Sequence, residues 1–149
     1  MPLQQLTITN TTHGFPLPRK KIAQAVKIAC LESKKRVSLS LVFVPDREIS
    51  KLHWLFMQDR SATDVLTFML SQSAGALETE IYISLDTARI QAGENGVSLQ
   101  NELVRLATHG VLHAIGYDDR TPRLRKRMWQ RQEYIVAKAF SAKKRDIHG

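Results

Sequence analysis

Apolar and polar positions along the chain follow two periods, and each change of period marks a new element. Ile22, Ala25, Val26 and Ala29 recur three and four apart behind Pro18, which predicts a helix from Pro18 to about Lys35. Val37 to Val44 then sets Val, Leu, Leu and Phe against serines at period two, the pattern of a strand. Asp46 fits the N-cap of a helix that places Ile49, Leu52 and Leu55 or Phe56 on one face. Further strands are expected over Asp64 to Leu70 and Glu80 to Leu85, the second with Ile81, Ile83 and Leu85 on one side. Asp86 can cap a short helix through Ala92 that ends near Gly93 or Gly96. Ser98 then precedes Leu99, Leu103, Leu106 and Gly110, a helical repeat that Gly116 stops, giving a helix from Leu99 to Ile115. Thr121 before Pro122 opens a last helix, with Leu124, Met128, Tyr134 or Ile135 and Phe140 as inward residues. Trp54 and Trp129 occupy helical positions compatible with core burial, so no exposed aromatic platform is expected.

These elements predict an α+β domain in which several helices pack on a small mixed sheet, with parallel pairing possible across the helical crossovers. One domain is expected over residues 1–142, followed by a basic flexible tail at 143–149. A chain of 149 residues is long enough to bury a real core without disulfides. The single cysteine, Cys30, cannot bridge internally, and the first thirty residues carry no apolar leader, which favours a cytoplasmic protein. No unbroken apolar run is longer than that of Leu41 to Val44, far too short to span a bilayer, so no membrane partner is expected.

Charge is unevenly placed. Residues 1–119 hold 12 basic and 12 acidic side chains, whereas residues 120–145 hold 10 basic residues against the lone Glu133. Such a segment suits a polyanion, because each neutralised phosphate releases a counterion. It also suits a solvated helix face with a basic tail, and charge alone does not separate the two.

Two of the five histidines, His109 and His113, stand four apart on one predicted helix, so both imidazoles project from the same face. The other three, His13, His53 and His148, are scattered. After the stop at Gly116 the chain turns back through Tyr117, Asp118 and Asp119, so a carboxylate can join the two imidazoles. Three protein ligands with one open position is the arrangement of a catalytic zinc. The competing explanation is a pair of hydrogen-bonded core histidines beside a turn capped by aspartates. The spacing is shared with metzincin proteases, but those carry a glutamate general base directly after the first histidine, where this chain has Gly110. Peptide hydrolysis is therefore disfavoured.

The run His109-Gly110-Val111-Leu112-His113-Ala114-Ile115-Gly116-Tyr117-Asp118 resembles the signature of the YbeY family of endoribonucleases and ribosomal RNA maturation factors, His-Gly-x-Leu-His-x-x-Gly-Tyr-Asp-His. Thr63-Asp64-Val65-Leu66-Thr67-Phe68 is similar to that family's Thr-Asp-Val-Leu-Ser-Phe strand, and Ile81-Tyr82-Ile83-Ser84 to its Ile-x-Ile-Ser strand. Glu102-Leu103 ahead of the histidines is a further echo, and together the pieces cover about residues 40–135. The resemblance implies a zincin-like fold, one zinc per chain, and hydrolytic cleavage of RNA by metal-activated water during maturation of small-subunit ribosomal RNA. It carries His109 and His113 over as zinc ligands.

Two positions depart from the family pattern: its third histidine falls on Asp119, and an arginine six residues before Thr63 falls on Met57. Aspartate is an acceptable zinc ligand, with Asp118 as the rival in the same turn. Replacing a neutral imidazole by a carboxylate weakens the Lewis acid and can shift preference toward another divalent metal. Arg60, three residues beyond Met57, is the candidate for stabilising charge on the phosphoryl oxygens. Arg120, Arg123, Arg125, Lys126, Arg127 and Arg131 are the candidates for binding the RNA backbone. The expected partner is ribosomal RNA or a ribosomal subunit, and DNA is not expected. The alternative is a non-catalytic, ribosome-associated RNA-binding protein whose metal is structural or absent.

Overall fold

The computed structural model describes residues 2–12, 16–57 and 65–141, of which 53–57 are described by backbone alone. His13, Arg60, Thr63, Asp64 and the tail at 143–149 therefore lie outside the described residues, as do the side chains of His53, Trp54 and Met57. The element order is β1 (Leu3–Asn10), α1 (Arg19–Cys30), β2 (Arg36–Val44), α2 (Asp46–Met57), β3 (Val65–Gln72), β4 (Ala76–Ser84), α3 (Leu85–Asn95), α4 (Leu99–Ala114) and α5 (Pro122–Ser141).

Four strands form one sheet in the order β1-β2-β4-β3. β1 and β4 both run parallel to β2, while β3 pairs antiparallel with β4. The sheet is thus mixed and the domain α+β, as the pattern predicts. Val37, Leu39, Leu41 and Phe43 of β2 lie opposite Leu77, Thr79, Ile81 and Ile83 of β4 in register, so one face of the sheet is continuous core. On the opposite face, Ile49 of α2 packs with Val44 and Leu66 in a smaller cluster.

β1 is absent from the sequence prediction. A register shift between Leu3 and Gln5 puts an extra residue into the strand, so Leu3, Leu6 and Ile8 all pack on the core although their spacing is not period two. α1 ends at Cys30 rather than near Lys35, because Ser33 turns the chain by bonding the backbone N–H and carbonyl of Lys35. The β4 strand begins at Ala76, earlier than Glu80, and ends at Ser84. That serine is the N-cap of α3, accepting from the Thr87 N–H at 3.1 Å, in place of Asp86. Asp46 is the first residue of α2, and its carboxylate accepts from the Ser84 and Thr87 hydroxyls at 3.2 Å, tying α2 to α3. It joins two helix starts instead of capping one.

α4 is the central helix. Ser98 caps it, accepting from the Asn101 N–H at 3.0 Å. Leu103, Val104, Leu106, Ala107, Val111 and Leu112 are buried, packed among the sheet, α1, α3 and α5. Each of the larger of these side chains stabilises the fold by roughly 1.5–3 kcal/mol on burial, so the helix is a rigid base for what it carries. α5 covers α4 through Met128, Gln132, Ile135, Val136 and Ala139. Of the two residues predicted as alternatives for its inward face, Ile135 is buried and Tyr134 exposed. Trp129 is 60% exposed, contrary to the expected core role. The buried face of α5 runs through positions 128, 132, 135 and 139, and 129 falls just outside it. Among the described residues, no helix is long and apolar enough to cross a membrane.

A candidate metal centre at the end of helix α4

Two features at the C-terminal end of α4 fix the directions of the two histidines. The first is the turn that follows. Ile115 ends the helix, Gly116 adopts φ +117°, a region that L side chains rarely enter, and the chain reverses. Tyr117 N–H then bonds the Leu112 carbonyl at 2.9 Å, which brings the Tyr117 carbonyl back over the last turn. There it accepts a hydrogen bond from His113 Nδ1 at 3.2 Å. A carbonyl only accepts, so His113 carries its proton on Nδ1 and leaves the Nε2 lone pair free.

The second feature comes from α5. His109 Nδ1 lies 2.8 Å from Gln132 Oε1, while the Gln132 amide NH2 donates to Glu133 Oε2 at 3.2 Å. That donation sets the amide's orientation, so Oε1 faces His109 and the His109 proton also sits on Nδ1. Glu133 is held in turn by Arg105, whose Nε and Nη2 donate at 2.8 and 3.0 Å, and Arg105 also pairs with the buried Glu102 at 2.9 Å. Burial works to raise the Glu133 pKa, but the Arg105 and Gln132 hydrogen bonds outweigh it and hold the carboxyl below its ordinary range.

The consequence is a convergence of bare acceptors. His109 Nε2 and His113 Nε2 lie 3.1 Å apart with their rings nearly perpendicular at 81°. Asp119 Oδ2 lies 3.4 Å from His113 Nε2, and the ligand atoms of all three residues fall within 4.8 Å of one another. Two lone pairs and a carboxylate facing one point repel unless a cation sits between them. The C-terminal end of the α4 dipole adds to the same negative field. This donor set, two imidazole nitrogens and one carboxylate oxygen, fits a divalent metal with a position left open. Each imidazole already has the second hydrogen bond that metal-binding histidines typically make.

Asp118 is occupied elsewhere. It accepts from the Arg120 backbone N–H at 2.9 Å and from that residue's guanidinium at 2.6 Å. First the backbone bond and then the side-chain bond hold its carboxyl below the usual carboxylate range. Gly110, where metzincins place a glutamate, faces the sheet: a Cβ there would stand 2.8 Å from Ile81 Cγ2 and 3.1 Å from Val65 Cγ1. Any side chain at 110 would have to displace these core side chains.

A cleft of about 220 Å³ opens beside the cluster, lined by His109, Asp119, Arg125, Met128, Trp129 and Gln132. Of the six basic residues predicted for RNA, Arg125 lines this cleft and donates to the Asp119 carbonyl at 3.2 Å. Arg120 is paired with Asp118, and Arg131 pairs with Glu32 at 2.6 Å and lies over the Tyr134 ring. Arg123, Lys126 and Arg127 are exposed and form no ion pair among the described residues. Arg60 lies outside the described residues. The sequence reading missed Gln132 and Trp129. A glutamine at a helical core position, in step with Met128 and Ile135, is the signal that marks the first.

Fold and cluster together define an α+β protein that carries a candidate mononuclear metal centre. Comparison with known proteins gives the family. The family model described as Endoribonuclease YbeY matches residues 7–139. Among relatives, an Endoribonuclease YbeY of Chloroherpeton thalassium is 35% identical over 134 residues, covering 89% of this chain and 94% of its own. One from Chlorobaculum parvum is 34% identical over 137 residues, covering 91% and 94%. The solution structure of TM1509 from Thermotoga maritima superposes with a TM-score of 0.63 at 27% identity, covering 91% of this chain and 89% of that one. The chain belongs to the Endoribonuclease YbeY family.

Proposed function

We propose that this protein is a zinc-dependent endoribonuclease of the cytoplasm that acts in the maturation of small-subunit ribosomal RNA, through one catalytic domain over residues 1–142. The observation that carries the reading is the meeting of His109 Nε2, His113 Nε2 and an Asp119 carboxylate oxygen beside an open cleft. Family membership supports RNA as the substrate.

His109, His113 and Asp119 would hold the ion. When bound, a divalent ion supplies Lewis acidity toward a phosphoryl oxygen and makes water a nucleophile near neutral pH. The rest is the work of the chain. Gln132 and the Tyr117 carbonyl hold both imidazoles in the tautomer that can ligate. The Arg105–Glu133 pair steadies Gln132 from behind. Arg125 sits at the cleft wall, where its guanidinium can meet a phosphate, and Arg123, Lys126 and Arg127 extend the positive surface along α5, while Arg120 and Arg131 would meet RNA by exchanging Asp118 and Glu32 for phosphate. Arg60 is assigned the stabilisation of charge that develops on the phosphoryl oxygens.

The test is cleavage of an unstructured ribosomal RNA fragment by the parent protein, His113→Ala and Asp119→Ala. Both variants should lose cleavage while keeping RNA affinity and thermal stability close to the parent's. Cleavage that survives both substitutions overturns the reading, and unfolding of both would assign the cluster a structural role.

A further inference from the structure

Trp129 is a large apolar side chain, 60% exposed, on the wall of the cleft that holds His109 and Asp119. Other exposed apolar residues, such as Leu31 and Ile90, line no part of that cleft. Its place on the cleft wall leaves the indole face accessible to a ligand that enters beside the cluster. Its surroundings say which kind. Arg125 precedes it by one helical turn and lines the same cleft, and the exposed Arg123 and Lys126 flank that turn. A flat apolar ring beside guanidinium groups matches one repeat of a nucleic-acid strand, a base carrying a phosphate.

We propose that Trp129 is the stacking platform for a nucleobase adjacent to the scissile phosphate, with Arg125 on the phosphate of the same nucleotide. The inference rests on the RNA-cleaving reading above. It adds a specificity-determining subsite: within a duplex both faces of a base are covered by its neighbours, so only an unpaired or terminal base can lie on the indole. Selection among sites then follows from which nucleotides can be splayed onto Trp129.

The experiment is equilibrium binding, to the metal-loaded protein, of a fluorescently labelled, unstructured short oligoribonucleotide and of a duplex of equal length, both with phosphorothioate linkages that resist cutting. Trp129→Ala should weaken binding of the single strand by roughly tenfold, the scale of one base–aromatic stack. Its salt dependence should stay unchanged because no phosphate contact is lost, whereas Arg125→Ala should lower the salt slope. Trp129→Phe keeps a ring and should recover most of the affinity. Duplex binding should not respond to either Trp129 variant. Single-strand affinity that is the same in parent and Trp129→Ala overturns the proposal, as does a loss that Trp129→Phe fails to restore. If the parent cuts RNA while Trp129→Ala matches it throughout, only the stacking subsite falls. If the parent neither binds nor cuts RNA, the functional reading falls and takes this one with it.

Discussion

Replacing Gln132 by leucine isolates what holds His109. The side chain is 7% exposed, and its Oε1 is the acceptor 2.8 Å from His109 Nδ1. Leucine nearly conserves volume and removes that acceptor, leaving a buried N–H without a partner and the imidazole free to rotate. Outer-shell substitutions of this kind cost about 10- to 100-fold in metal affinity, which is roughly 1.4–2.8 kcal/mol at 1.4 kcal/mol per decade. The orphaned donor should also lower the stability of the metal-free protein by about 1–3 kcal/mol. Competition between the protein and a chromophoric zinc chelator measures the first quantity, and urea unfolding of the metal-free protein the second. Gln132→Glu keeps an acceptor at the same place and should bind zinc far better than Gln132→Leu. Equal zinc affinity in the parent and Gln132→Leu would refute the argument, because it would mean that helix packing alone orients His109.

Gly110→Ala should destabilise despite the higher helix propensity of alanine, by about 1 kcal/mol or more, since the added methyl meets Ile81 Cγ2 at 2.8 Å in a filled core; an unchanged or raised melting temperature would contradict this. Because the folded-state pKa of Glu133 is depressed, its pairing contributes stability above its ordinary pKa of about 4.5 that is lost as pH falls through the lower folded value. Glu133→Gln should therefore be less stable than the parent at neutral pH and lose less on acidification, and parallel acid limbs in a pH series of thermal melts would count against it. Neutralising Arg123, Arg125 and Arg127 together should weaken RNA binding and lower the slope of log affinity against log salt by up to about 2, at roughly 0.7 per phosphate on a single strand. A small-molecule or peptide hydrolase would keep its activity in that triple variant.

What could be read from the sequence follows where the chemistry is local. The bounds of α4 were predicted to within one residue because Ser98 and Gly116 punctuate a clean helical repeat, and the same spacing set His109 and His113 on one face. The return of Asp119 follows from the left-handed Gly116. Elements defined by tertiary pairing were less legible. β1 was missed because its bulge breaks the alternation, and the α3 cap was misplaced because Ser84 ends one element and starts the next. Trp129 stands at a helical position compatible with core burial, yet the face of α5 is fixed by its contact with α4, which a single-helix pattern does not contain. Gln132 escaped for the matching reason: a polar residue inside a core stripe is recognised only once its partner, His109, arrives from another helix.

Two imidazoles and a carboxylate at the end of α4 make the candidate metal centre on which the proposed function rests. Elemental analysis of protein purified without chelator or histidine tag, comparing the parent with His113→Ala, tests it most directly. The parent chain should carry about one equivalent of zinc, or of another divalent transition metal, and the variant little or none. A parent that carries no metal and is neither bound nor stabilised by added zinc would contradict it, and would make the non-catalytic RNA-binding protein the better description.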